Sequence, residues 1–264
     1  MPRINGKTVW ITGASSGIGE ALTYALNKKD CQLIISARDK EQLAKVKNNC
    51  QNPEKVRILP LDLSNSLNMK SRTEKALAAF GQIDLLINNA GISQRSLIRD
   101  TDLSVYDKLM NVNYLGTIAL TKTLLPYFID RKAGHFVTVT SLMGRFGSPY
   151  RSGYCGAKHA LHGFFDVLRM EHEVDKIKVT LICPGFINTN VAKNALTADG
   201  TKQNKNDEAT QNGMAVATFA LKMIRAIEKE RFEAYIGKKE IMGVYLKRFM
   251  PRLLHRVVLK SRYR

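Results

Sequence analysis

The chain has 264 residues, 44% of them apolar and 24% charged, with a formal net charge of +18 at neutral pH. That length suits one large domain with a sizeable core, and the apolar share excludes a disordered chain. No uncharged apolar run approaches the ~20 residues that cross a bilayer, and Cys31, Cys50, Cys155 and Cys183 show no Cys-x-x-Cys pair and no His at ligand spacing, which argues against a disulfide framework or a metal site.

Residues 1–7 lead straight into an apolar strand, without the charged and apolar blocks of a secretion signal, so a cytoplasmic protein is expected. Residues 7–12 (Lys-Thr-Val-Trp-Ile-Thr) predict that strand, Gly13-Ala14-Ser15-Ser16-Gly17-Ile18-Gly19 a turn, and the pattern from Glu20 a helix. Such a turn lets backbone approach a pyrophosphate at the N-terminus of a helix, where free N–H groups and the dipole favour an anion. Without a ligand it would simply be a tight strand-to-helix connection.

A second strand at 31–36 ends in Ala37-Arg38-Asp39. In a dinucleotide fold this strand end faces the adenosine ribose, where an acid bonds the 2′-hydroxyl of NAD and an arginine accommodates the 2′-phosphate of NADP. Ala37 offers no acid and Arg38 offers a guanidinium, so NADP is preferred; the competing reading is a solvated Arg38. Asp39 is placed to cap a helix at 40–49. A strand at 55–59 ending in Pro60-Leu61-Asp62-Leu63, a helix at 66–80 and a strand at 84–88 continue the alternation. The pattern predicts an α/β fold: a single Rossmann-like, doubly wound parallel sheet with helices on both faces and ligands at the C-terminal edge of its strands. Asp62 and Asn88-Asn89-Ala90-Gly91 fall at that edge.

Helices are expected at 102–112 and 114–131, a strand at 134–140 running into Ser141, and a helix to about 174 that carries Tyr154 and Lys158. Four residues apart on a helix, a phenol and an ammonium share one face, and the cation favours the phenolate. Alone, Tyr-x-x-x-Lys is more often an amphipathic helix with a snorkelling lysine. A strand at 177–183 ends in Cys183-Pro184-Gly185-Phe186-Ile187-Asn188-Thr189. The polar stretch Val191 to Gly213 suggests a lid, and a helix at 214–229 and a strand at 232–236 complete the domain. His135, His159 and His162 are scattered and expected to be packing or surface residues.

Taken together these residues resemble the short-chain dehydrogenase/reductase family. Thr12-Gly13-Ala14-Ser15-Ser16-Gly17-Ile18-Gly19 matches its glycine-rich turn and Asn88-Asn89-Ala90-Gly91 its Asn-Asn-Ala-Gly motif. Asn113, Ser141, Tyr154 and Lys158 fall where the family keeps a catalytic tetrad, and Pro184-Gly185 and Thr189 match the stretch that closes over the nicotinamide. The match covers about residues 5–236, and within the family the chain is most similar to the animal "dehydrogenase/reductase member 7" subgroup. The resemblance implies hydride transfer between NADP(H) and a carbonyl or secondary alcohol. Tyr154 would be the proton donor, Ser141 the partner of the same oxygen, Lys158 the group that lowers the phenol pKa and bonds the nicotinamide ribose, and Asn113 the anchor of a proton-relaying water. Asn113 could instead satisfy buried backbone groups at a helix kink. Cofactor contacts would come from Gly13, Ser15, Ser16, Gly17, Ile18, Gly19, Arg38, Asp62, Leu63, Asn89, Ala90, Gly91, Tyr154, Lys158, Pro184, Gly185, Ile187 and Thr189. The family implies a homodimer or homotetramer through the helices at 114–131 and 154–174.

Residues 1–236 thus read as the NADP-binding domain and 237–264 as a basic amphipathic tail, with nine Lys or Arg against one Glu. Leu246, Phe249, Met250, Leu253 and Val257 recur at helical spacing, and Pro251 should kink or restart the helix. Two uses stay open: peripheral contact with an anionic membrane, or packing on the protein itself. No nucleic-acid module is recognisable, so no nucleic-acid partner is expected. A small carbonyl or alcohol, lipid-like molecules included, is the expected substrate, and a non-catalytic NADP-binding scaffold or redox sensor is the alternative.

Overall fold

The computed structural model describes residues 4–260. Seven strands form one parallel sheet: β1 (Thr8–Thr12), β2 (Gln32–Ser36), β3 (Val56–Ile58), β4 (Leu85–Asn88), β5 (Gly134–Val139), β6 (Ile177–Pro184) and β7 (Glu233–Ile236). Their spatial order is β3-β2-β1-β4-β5-β6-β7, so the direction of winding reverses between β1 and β4. A crevice opens at such a reversal, beyond the carboxyl ends of the strands. β1 is Thr-Val-Trp-Ile-Thr and buried throughout, as a strand covered on both faces must be.

Helices α1 (Gly17–Asn27), α2 (Lys40–Asn48), α3 (Met69–Phe80), α4 (Leu103–Met110), α5 (Gly116–Asp130), α6 (Ser152–Glu171), α7 (Glu208–Gln211) and α8 (Val216–Glu228) connect the strands. Leu22 and Leu26 of α1, Leu43 of α2 and Phe219, Met223 and Ile227 of α8 join Val9, Ile11 and Ile35 in the core on one face. On the other face Met69 of α3, Leu120, Leu124 and Phe128 of α5 and Leu161 and Phe165 of α6 pack on Trp10, Ile34 and Phe136. Each such side chain contributes roughly 1.5–3 kcal/mol of burial. Asp39 caps α2 as expected, accepting a hydrogen bond from Gln42 N–H at 3.0 Å.

Three elements depart from the sequence expectation. α1 begins at Gly17 rather than Glu20, because Gly13 and Gly17 take positive φ and turn the chain into the helix earlier. The two helices expected around residue 113 are one helical run, joined by a π-turn at Asn111–Leu115. The stretch from Val191 to Gly213 is pinned down: Leu196 bridges to Gln94 and to Lys202, Asp102 N–H reaches the Ala198 carbonyl, and α7 lies within it.

The tail forms α9 (Met242–Phe249) and α10 (Pro251–Lys260), broken at Met250 just before Pro251. Leu254, with Ile241, Val244, Leu246 and Val258, packs on Leu142, Phe146, Cys183 and Tyr235 of the sheet domain. Residues 261–264 of the expected tail lie outside the described residues, as do residues 1–3. No described helix is long and apolar enough to cross a membrane.

Candidate active site

The ends of β1 and β4 are tied together by Thr12 and Asn89. Thr12 Oγ1 accepts from the N–H groups of Asn89 and Ala90, and Asn89 Nδ2 donates to the Thr12 and Gly13 carbonyls at 3.0 and 3.2 Å. Gly13 has φ +65°, and a Cβ there would lie 2.7 Å from Ala90 Cα, so only glycine fits between these strand ends. Ser16, at the N-cap of α1, makes no side-chain capping bond, which leaves the first turn of that helix to an external anion. Ser15 lies beside it in the turn. Gly19 abuts the Gly13 carbonyl, and Gly17 faces Thr189 across the crevice, where a Cβ would come within 3.3 Å of Thr189 Cγ2. These residues fit a dinucleotide pyrophosphate.

Farther along the same edge, Arg38 is exposed just beyond β2, and its charge reaches Asp62 beyond β3. Some desolvation works to raise the exposed Asp62 carboxyl, but Oδ1 accepts from Ser64 N–H and Oγ, and these bonds with the charge of Arg38 hold it below the usual range. Leu63 is buried against Gly116, whose missing side chain makes room for the Leu63 carbonyl.

At the middle of the edge Ser141, Tyr154 and Lys158 line one cavity of about 380 Å³, together with Ile18, Asn89, Gly91, Pro184, Gly185, Ile187 and Thr189. Ser141 follows β5 and accepts from Met143 N–H, which starts a short 3₁₀ turn. Asn113 stands behind the cavity in the π-turn, fully buried: its Oδ1 accepts from Ile92 N–H at 2.8 Å and its Nδ2 donates to the Ile92 carbonyl at 2.9 Å. The side chain thus does the backbone-satisfying job. Gly91 joins the group, since a Cβ there would lie 3.0 Å from Asn113 Oδ1 and 3.5 Å from Lys158 Nζ.

The electrostatics differ from the simple picture of an ammonium acidifying a phenol. Lys158 Nζ donates to the Val139 carbonyl at 2.8 Å and lies 5.8 Å from the centre of the Tyr154 ring. Burial brings Lys158 down to about 8. Burial also pushes the Tyr154 phenol above its ordinary value, while a hydrogen bond with Ser141 and the charges of Arg95 and Arg151 pull it back.

The outer walls come from residues to which the sequence assigned no site role. Arg95 and Arg151 line the cavity, and both bond Asp207 of the 191–213 segment. Lys239, Glu240, Met242, Gly243, Leu246 and Leu254 of the tail line it as well. Glu240 Oε1 accepts from Phe186 N–H at 3.0 Å and closes over Gly185, and Lys238 donates to the Asn212 carbonyl, so the tail, the loop after β6 and the 191–213 segment are joined. The amphipathic pattern of 241–260 was the available signal for a wall, although it could not say what the helix faces.

Folding also collects a group that chain spacing conceals. His162, Cys183 and Glu233 come within 4.8 Å of one another. Arg145 binds Glu233 with two bonds of 2.7 Å, so a guanidinium already supplies the positive charge there. His135 is buried too, bonded to Thr180 Oγ1 at 2.9 Å and pulled down to about 4 by burial.

The sequence model of the family described as "short chain dehydrogenase" matches residues 7–200. The human protein "Dehydrogenase/reductase SDR family member 7" is 42% identical over 250 residues, 92% of this chain and 74% of that protein. The Anopheles gambiae "Dehydrogenase/reductase SDR family protein 7-like" is 38% identical over 98% of this chain and 84% of its own length. A Burkholderia phymatum short-chain dehydrogenase/reductase solved in complex with NAD superposes with a TM-score of 0.85 at 23% identity, covering 96% of both chains. An alcohol dehydrogenase from Thermococcus sibiricus, complexed with 5-hydroxy-NADP, superposes at 0.76 and 22% identity, over 88% of this chain and 97% of its own. The chain belongs to the short-chain dehydrogenase/reductase family of oxidoreductases, in the subgroup that resembles member 7.

Proposed function

We propose that the protein is an NADP(H)-dependent oxidoreductase acting on a carbonyl or secondary alcohol, with Tyr154 as the group that gives or takes the proton. The observation that carries this reading is the single cavity in which Ser141, Tyr154 and Lys158 meet Pro184, Gly185, Ile187 and Thr189. Bound NADP(H) supplies or accepts the hydride. The glycine turn, Asn89 and Thr189 would hold it, with Arg38 at the 2′-phosphate. As negative charge develops on the substrate oxygen, the Tyr154 hydroxyl gives up its proton to it and the Ser141 hydroxyl donates to the same oxygen. Lys158, buried and brought down to about 8, stabilises the phenolate left behind and can return its proton. Asn113 orients the Ile92 backbone beside Gly91 and so steadies the floor under Lys158.

Tyr154→Phe tests the assignment. The variant should bind NADPH like the parent while losing turnover; full turnover in the variant would remove Tyr154 from the proton role, and a parent that turns over no carbonyl or alcohol would leave the scaffold or redox-sensor reading in its place.

Two further parts of the proposal concern surroundings. α6 exposes Val167 and Met170 and the turn before α5 exposes Leu115, which supports a homodimer or homotetramer through these helices. The outer face of α9 and α10 exposes Phe249 (76%), Met250 and Leu253 near Arg248, Arg252 and Arg256, which supports peripheral contact with an anionic membrane surface. Co-sedimentation with vesicles rich in phosphatidylserine tests the second: equal partitioning of the full chain and a chain ending at residue 240 would exclude it.

A further inference from the structure

Four cationic side chains, Arg95, Arg151, Lys158 and Lys239, line the cavity, against one carboxylate, Glu240. Lys158 donates to the Val139 carbonyl, and Glu240 accepts from the Phe186 N–H. Two of the four cations, Arg95 and Arg151, come together where the loop after β4 meets the start of α6. There Arg95 Nε and Nη2, at 3.1 and 2.7 Å, and Arg151 Nη2, at 3.0 Å, all bond one oxygen, Oδ2, of Asp207. Asp207 Oδ1 has no partner among the described residues.

One carboxylate offsets one guanidinium, so this cluster keeps a net charge of +1. The side chains of Arg151 and Asp207 are 1% and 4% exposed, which removes most of the help from solvent. Burial and the repulsion from Arg95 pull Arg151 down to about 10 from the usual guanidinium range, the same excess charge seen from another side. Arg95 is the more accessible of the pair. Ser93 and Ser148, bonded to the two guanidinium groups at 2.9 and 3.3 Å, also line the cavity, and their hydroxyls can turn to donate to a ligand. Much of the remaining wall is apolar, with Phe146, Leu246 and Leu254 in it.

We infer that the cavity takes a carbonyl compound with an apolar body and an anionic end, a carboxylate in the simplest case, whose charge completes the Arg95–Asp207–Arg151 cluster while its carbonyl lies at Tyr154. The inference rests on the oxidoreductase reading of the same site. The anionic end takes no part in the bond changes: the carbonyl carbon gains the hydride, the oxygen gains the phenol proton, and the carboxylate leaves unaltered.

The test is a homologous series of straight-chain methyl ketones ending in a carboxylate, each assayed with NADPH against its own methyl ester. The acid should exceed its ester in kcat/KM by about tenfold or more at the best chain length, as expected for a charge-assisted contact. Arg95→Gln should erase that ratio, whereas Arg95→Lys, which keeps the charge, should retain part of it. Independently of turnover, saturated straight-chain carboxylates should raise the melting temperature of the parent protein more than the matching alcohols. An ester turned over as well as its acid, or a ratio unchanged in Arg95→Gln, overturns the inference and leaves the oxidoreductase reading standing. Failure to reduce any carbonyl in a broad panel overturns the reading beneath it.

Discussion

The nucleotide side of the cavity is made largely of backbone and short polar side chains at the ends of neighbouring strands, while the substrate side is made of side chains drawn from distant segments. Asn89 and Ala90 meet Gly13 and Thr12 respectively through bonds that follow directly from the pairing of β1 with β4. Arg95 and Asp207 meet across 112 residues of chain, and Glu240 meets Phe186 across 54. A strand edge has few ways to present backbone to a phosphate, so the glycines that permit it are fixed in place. A wall has many solutions, since any side chain of suitable size and charge will serve.

Tyr154 stands where the two sides join, and its loss should have the largest effect. Tyr154→Phe is expected to lower turnover by ~10²-fold or more with NADPH affinity retained, measured by steady-state rates and cofactor titration. The pH dependence sharpens the point. Burial raises the phenol, so it is protonated at neutral pH, the form that the proposed donor role in reduction requires. Alcohol oxidation needs the phenolate and should climb with pH toward and past the ordinary tyrosine value of ~10, while reduction declines over the same interval. Profiles recorded in both directions check the sign; an oxidation rate already level at neutral pH would mean that Lys158 and the cofactor together overcome the burial.

On the nucleotide side, Arg38→Ala should weaken NADPH by about tenfold to a hundredfold and NADH far less, as loss of charged hydrogen bonds to a phosphate requires. Equal losses would place the 2′-phosphate elsewhere. On the substrate side, ending the chain at residue 240 removes Leu246 and Leu254 from the cavity wall. KM for an apolar carbonyl should rise at least about tenfold, with NADPH affinity nearly unchanged, because tenfold is about 1.4 kcal/mol and a single buried aliphatic side chain already contributes roughly 1.5–3 kcal/mol. If cofactor affinity fell equally, the two sides would not be separable. Asp39→Ala, next to Arg38 but outside the cavity lining, should cost only about 1 kcal/mol through the lost α2 cap, read as a small drop in melting temperature without change in KM for the carbonyl.

The parallel sheet, the order of strands and helices, the helix cap at Asp39 and the glycine turn were legible in the sequence, because period, β-branching and glycine placement act locally. Asn113 was legible as a position, yet its engagement with Ile92 depends on the π-turn that joins two expected helices. The closeness of Tyr154 and Lys158 followed from helical spacing. The direction of the phenol's shift did not, because it depends on burial and on Arg95 and Arg151, which only the folded chain brings near. Likewise the amphipathic pattern of 241–260 was readable, but only packing decided that Leu246 and Leu254 turn inward to the cavity while Phe249 and Met250 remain outside. The sequence by itself determined which segments become strand or helix and where backbone can meet a phosphate, since those choices rest on neighbours along the chain. The tertiary structure decided which charges face one another and what closes the cavity, since burial and distance between remote side chains have no counterpart in local pattern.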